Sequence, residues 1–168
     1  MKPDSYENFC SYQFVSRETY EKFKIFHDTL IKWQRSINLV SKLTLDTIWS
    51  RHILDSAQLY KFIYKTKGNI FDLGSGAGFP GLILAIMGCK KVFLVEPDKK
   101  KCTFLREIAM LTNTDVTIYN SRIQDLGYQN VEVVISRALA SLVKLIQLIE
   151  NYMEKAPLKK ASYPKMIF

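Results

Sequence analysis

Asn69-Ile-Phe-Asp-Leu-Gly-Ser-Gly-Ala-Gly-Phe-Pro-Gly81 is the stretch that decides the architecture of this 168-residue chain. Ile70, Phe71 and Leu73 form a short apolar run suited to a buried parallel strand. The glycines at 74, 76, 78 and 81 follow at once, letting the backbone turn sharply and approach a ligand with no Cβ in the way. Pro80 has a φ suited to the first turn of a helix, and Leu82, Ile83, Ala85 and Ile86 supply its buried side. The reading is strand, glycine turn, helix.

A second apolar strand, Val92–Val95, ends in Glu96, 22 residues after Gly74. A carboxylate placed there can accept both hydroxyls of a ribose. The candidate cofactor residues from this pattern are Asp72, Gly74, Ser75, Gly76, Gly78 and Glu96. The run from Gly76 to Gly81 satisfies the dinucleotide fingerprint, so a nicotinamide-dependent oxidoreductase is one reading. Asp72 argues against it, because a carboxylate two residues before the first glycine repels a pyrophosphate. It suits S-adenosyl-L-methionine, which carries a sulfonium and an ammonium. The order acid-x-Gly-x-Gly-x-Gly resembles the first motif of class I methyltransferases, and methyl transfer leads on that ground.

Composition bounds the rest. The length suits about one domain. Hydrophobic residues make up 48% of the chain, an ordinary globular value. No apolar run approaches the roughly 18 residues of a membrane span, and the first residues lack the apolar core of a signal peptide. The expected location is the cytoplasm. Cys10, Cys89 and Cys102 show no Cys-x-x-Cys spacing and only two histidines accompany them, so neither a disulfide framework nor a metal site is expected. The balance of 24 basic against 16 acidic side chains, a net +8, favours a polyanionic partner such as RNA. Lys99-Lys100-Lys101 also reads as the solvated first turn of a helix.

Residues 1–66 are expected to form a helical extension packed on a core at 67–168. Residues 1–15 read as loosely ordered. From a Ser16 cap, Phe23, Phe26, Leu30, Trp33 and Ile37 recur at helical spacing and form one core-facing stripe. A second helix is expected after an Asp46 cap, running through Ile48, Trp49, Ile53, Ala57 and Tyr60. Arg51 and Asp55 lie four apart in it, as do His52 and Ser56, and the plain reading of the first pair is a surface ion pair. After Glu96 come a helix over 99–111, strands over 116–119 and 131–135, and a helix over 141–154. That alternation predicts an α/β, doubly wound, Rossmann-like parallel sheet whose ligand sits beyond the carboxyl ends of its strands. Those ends are 72–78, Glu96, 120–125 and 136–138.

Asn38-Leu-Val-Ser41, Arg51-His-Ile-Leu-Asp-Ser56, the block from Asp72 to Gly81, Ser121-Arg122 and Ile135-Ser-Arg-Ala-Leu-Ala140 occur in an order and spacing that resembles the small-subunit ribosomal RNA methyltransferase G family, also called glucose-inhibited division protein B. The resemblance spans about residues 20–155. It implies a bacterial enzyme, acting as a monomer, that uses S-adenosyl-L-methionine to methylate N7 of a guanine in 16S ribosomal RNA, free or within the small ribosomal subunit. By the same resemblance, Gly74 and Phe79 line the cofactor, Glu96 takes the ribose, Ile123 and Gln124 border the adenine, and Arg137 closes the pocket. Arg51, His52 and Arg122 are candidate RNA contacts. Phe79 has a competing role in the core. Guanine N7 presents a lone pair at neutral pH, so the transfer needs alignment and no general base, and no catalytic acid or base is assigned.

The chain departs from the family at its C-terminal end. A class I methyltransferase sheet has seven strands, four of which are placed here with Lys165–Phe168 as a candidate fifth. The C-terminal strands read as truncated, leaving a sheet edge. Besides the methyltransferase and the oxidoreductase, a non-catalytic remnant that binds RNA or cofactor is the third reading.

Overall fold

A computed structural model describes residues 6–137, 141–157 and 163–168. Five parallel strands form one sheet: β1 (Asn69–Leu73), β2 (Val92–Val95), β3 (Thr117–Tyr119), β4 (Val131–Ser136) and β5 (Lys165–Ile167), in spatial order β3-β2-β1-β4-β5. β1 lies at the centre, pairing Leu73 with Val95 of β2 and with Ser136 of β4. The strand order reverses beside β1, and such a switch point opens a crevice above the strand ends. The fifth strand forms and pairs in parallel with β4.

Side chains alternate between two buried layers, as a parallel sheet covered on both faces requires. Ile70, Leu94, Val133 and Ile135 face one cluster, shared with α5 (Gly81–Ile86), α6 (Lys99–Leu111) and the long α2 (Arg17–Gln34). Phe71, Leu73, Val95 and Val134 face the other, covered by Leu145, Ile149 and Tyr152 of α7 (Leu142–Met153). Ser16 caps α2 through its hydroxyl, which accepts from Thr19 N. The α2 stripe packs as its spacing predicts: Phe26 meets Phe79 at 5.1 Å and Phe104 at 6.1 Å between ring centroids. Trp33 Nε1 donates to Glu107 Oε2 of α6 at 3.0 Å.

Two expectations for the N-terminal part are corrected. The segment read as loose contains a helix, α1 (Tyr6–Cys10), whose Phe9 is fully buried against Tyr20, Phe23 and Trp49. Three aromatics supplied by later elements give this short segment a reason to order that its own sequence does not display. The second helix is neither capped by Asp46 nor continuous. Ser41 caps a 3-10 segment, Lys42–Thr47, by accepting from Leu43 N, and a π-helical turn, Trp49–Leu54, follows. α3 (Asp55–Gln58) and α4 (Tyr60–Ile63) complete the run.

A candidate cofactor crevice and a charged wall beside it

The turn after β1 is held by its own backbone. Gly74 N and Ser75 N both donate to Val95 O, and Gly78 N donates to Ser75 O. Gly74, Gly76 and Gly78 take φ values of 72°, 55° and 92°, the left-handed region that side chains disfavour. A Cβ on Gly76 would meet nothing nearer than Gly74 O at 3.7 Å, so open space lies above it. Gly81 is confined instead: its Cβ would fall 2.5 Å from Asp72 Oδ2. Gly78 faces inward too, toward Leu82 and Leu105.

Asp72 is fully buried beneath the turn. Its Oδ2 accepts from Gly81 N at 3.0 Å, at the start of α5, while its Oδ1 has no partner among the described residues. Burial pushes its pKa up to about 7, opposed by the bond from Gly81, by Ser75 and by the nearby Arg137. Ser75 is buried, with its hydroxyl donating to Asp72 O at 2.9 Å. Glu96, also buried, closes β2 as expected: Oε2 accepts from Gly76 N at 2.8 Å and Oε1 from Asp98 N at 2.9 Å. Each oxygen keeps a second acceptor site for a ligand hydroxyl. Asp98 then caps α6, accepting from Lys100 N and Lys101 N, and those bonds hold its carboxyl below the usual range.

Between the ends of β1, β2 and β3 lies a cavity of about 240 Å³, lined among others by Gly74, Val95, Pro97, Ser121, Ile123 and Leu148. Arg122 and Gln124 also reach it, both exposed. Ile123 is buried, its side chain in the α7 cluster. Lys155 Nζ donates to Gln124 O and, at 3.1 Å, to Leu126 O, which ties the loop to the end of α7. Ser121, inside the expected stretch 120–125 but not among the candidate site residues, lines the cavity. Its buried hydroxyl has no partner among the described residues, and a serine in a loop carries no periodic signal. Leu148 lines the same cavity from α7, and nothing in the helix expected over 141–154 sets that leucine apart.

Phe79, His52 and Arg137 meet on the other side of the turn. The His52 ring stacks on Phe79 at 4.9 Å with 23° between planes, and the Arg137 guanidinium lies 5.3 Å from the Phe79 centroid. Arg137 Nη1 donates to Arg51 O at 3.1 Å and Nη2 contacts His52 Nδ1. Burial, then the charges of Arg137 and Arg51, pull the His52 pKa down to about 4, so the ring is neutral at pH 7. With Nδ1 facing a guanidinium, Nε2 carries the proton. Arg51 and His52, the two hydrogen-bond partners of Arg137, both lie in the π-helical turn, and such turns are frequent at functional sites. The expected Arg51–Asp55 surface ion pair is absent among the described residues: Asp55 instead acts electrostatically on Arg137. Arg51 is exposed, whereas His52 is turned inward. Ala138 of the expected fourth stretch, and Leu139 and Ala140 of the block that ends at Ala140, lie outside the described residues.

The candidate residues thus gather in two groups. Gly74, Arg122, Ile123 and Gln124 share the cavity; Glu96 sits between its lining residues Val95 and Pro97 without lining it, and holds Gly76 through its carboxylate. Arg137, His52 and Phe79 stand on the β4 side above Asp72. Among the described residues, no group of three or more His, Cys, Asp or Glu side chains assembles in a metal-holding arrangement, and no helix is long and apolar enough to cross a membrane.

Residues 19–158 match the family model described as GidB: rRNA small subunit methyltransferase G. This chain belongs to that family. A ribosomal RNA small subunit methyltransferase G from Paramagnetospirillum magneticum is 52% identical over 132 residues, covering 79% of this chain and 64% of that protein. One from Orientia tsutsugamushi (strain Ikeda) is 45% identical over 141 residues, covering 84% of this chain and 71% of that protein. The chain therefore spans just under two thirds of the first relative's length. Among solved structures, magnesium protoporphyrin IX methyltransferase (ChlM) from Synechocystis PCC 6803 with bound SAM has a TM-score of 0.56 at 14% identity, covering 85% of this chain and 73% of that one. A putative S-adenosyl-L-methionine-dependent methyltransferase from Methanococcus maripaludis gives 0.52 at 11% identity, covering 83% and 61%. These likenesses are of fold, and they agree with the α/β Rossmann-like class I architecture expected from the sequence.

Proposed function

We propose that this chain binds S-adenosyl-L-methionine in the crevice above β1 and β2 and methylates N7 of a guanine in 16S ribosomal RNA, working as a monomer on free RNA or on the small ribosomal subunit in the bacterial cytoplasm. The observation that carries the reading is the glycine turn locked to Glu96 beside an apolar cavity, in a member of this family. A pyrophosphate fits poorly, because Asp72 lies fully buried beneath the turn with its pKa pushed up to about 7, and added negative charge there raises the cost of ionising it further, whereas a cationic ligand favours its carboxylate form. The open space above Gly76, the free acceptor sites of Glu96 and the unpartnered Ser121 hydroxyl fit a nucleoside.

Bound cofactor supplies an electrophilic methyl group on a sulfonium. The chain's own residues then bind and align. Gly74, Gly76 and Gly78 form the turn under the methionine portion, with Ser75 and Asp72 beneath it, and Glu96 accepts the ribose hydroxyls. Ile123 borders the adenine with its side chain and Gln124 does so through its backbone. Arg137, resting on Phe79, offers its guanidinium to the methionine carboxylate. His52, stacked on the same ring, serves Arg137, leaving Arg51 and Arg122 as the exposed RNA contacts. No proton need leave the base, so holding N7 in line with the methyl group at roughly 3 to 3.5 Å supplies much of the rate.

The test is incorporation of a tritiated methyl group into 16S ribosomal RNA or purified small subunits lacking this modification, followed by mapping of 7-methylguanine. The expected result is one labelled guanine. Binding of S-adenosylhomocysteine with no incorporation into either substrate favours the binding remnant.

A further inference from the structure

A second cavity, of about 150 Å³, lies beyond Arg137 and is lined by Asp55, Ser56, Leu59, Pro80, Ser136, Arg137 and Phe168. Its volume is that of roughly five waters, the scale of a single nucleobase. Ser136 ties it to the crevice, since its hydroxyl donates to Leu73 O at the end of β1. Leu59, Pro80 and Phe168 give it apolar walls, and Phe168 is an exposed aromatic ring at its mouth. Asp55 is exposed and has no hydrogen-bond or ion-pair partner among the described residues, although Arg137 lies close enough to interact with it electrostatically.

From this we infer that the cavity receives the target guanine and that Asp55 reads its Watson–Crick edge. This rests on the methyl-transfer reading above and names the residue that selects the base. A carboxylate accepts from guanine N1–H and from the 2-amino group together, a pairing that adenine and the pyrimidines cannot offer. N7 lies on the opposite edge, so a base gripped by N1 and N2 leaves N7 uncovered.

The arrangement also favours the reaction itself. The N7 lone pair forms the new N–C bond while the C–S bond breaks and its electron pair stays on sulfur, so positive charge passes to the purine and no proton moves. Charge on the ring makes N1–H a stronger donor, and its bond to the Asp55 carboxylate strengthens as the transition state forms. A phosphate in the same cavity would meet that carboxylate as a like charge.

The test uses the intact chain and two probes, 7-methylguanosine and 7-methylinosine, which differ only in the 2-amino group. Saturation-transfer NMR titrations, with and without S-adenosylhomocysteine, should show 7-methylguanosine bound about tenfold more tightly. Asp55→Asn and Asp55→Ala should abolish that preference while leaving S-adenosylhomocysteine affinity and the unfolding midpoint unchanged. Equal binding of the two nucleosides, binding of neither, or a preference that survives in both variants would overturn the assignment. Loss of S-adenosylhomocysteine binding by the unmodified chain would instead strike the cofactor reading, and the nucleoside comparison without cofactor would still report on the cavity.

Discussion

The two sides of the crevice are built differently. On the β2–β3 side, the cavity is shaped by backbone and apolar side chains: the glycine turn bonded to Val95, the Glu96 carboxylate held by two amides, and Ile123 fixed in the α7 layer. On the β4 side, a charged guanidinium rests on an aromatic ring and touches a π-helical turn 85 and 86 residues earlier in the chain. The first side is preformed and depends little on any one side chain. The second concentrates its effect in a few.

Substituting Phe79 breaks the comparison most severely, because its ring joins Phe26, His52 and Arg137. Phe79→Ala should destabilise the protein by about 3–5 kcal/mol, read as a lowered urea midpoint, and should abolish S-adenosylhomocysteine binding. Arg137→Ala sharpens it. Loss of a charge-assisted hydrogen bond worth about 1.5–3 kcal/mol predicts S-adenosylhomocysteine affinity weakened by about 10- to 100-fold in calorimetry, with the urea midpoint lowered less than in Phe79→Ala, since the bond to Arg51 O and the contact with His52 go too. On the opposite side Ser121→Ala removes one neutral hydroxyl, and the same titration should show a loss of only about fivefold.

Protonation separates two groups by the sign of their pH dependence. His52 has a folded pKa of about 4 against an ordinary 6.5. The unfolded chain therefore binds more protons between those values, and stability from this group is complete above pH 6.5 and lost as pH falls toward 4. Asp72 has a folded pKa of about 7 against 3.8. Its contribution is complete below pH 4 and lost as pH rises through 7. Urea midpoints for His52→Phe should fall with pH across 4 to 7 relative to the unmodified chain, and those for Asp72→Asn should rise. Parallel profiles for all three proteins would contradict both assignments.

The preformed side was largely legible in the sequence, because strand alternation, glycine spacing and an acid at a set distance are local signals. β1, β2, α6 and the place of Glu96 as the acid closing β2 follow from residues between Asn69 and Leu111. The charged side was not. The contact of Arg137 with Arg51 and His52 joins two elements that share no periodicity, and the π-helical turn that carries both residues looks in sequence like an ordinary amphipathic helix. The i, i+4 spacing of Arg51 and Asp55 points to a surface pair, whereas Asp55 lines one cavity with Arg137 and acts on it electrostatically. α1 was hidden for the same reason, since its order comes from aromatics supplied by α2 and the π-helical turn.

Isothermal titration calorimetry of the intact chain with S-adenosylhomocysteine and, separately, with NAD tests the central claim most directly. Saturable one-to-one binding of S-adenosylhomocysteine and no heat from NAD is the predicted result. Binding of NAD, or of neither ligand, would show that the bend after β1 is not shaped for this nucleoside.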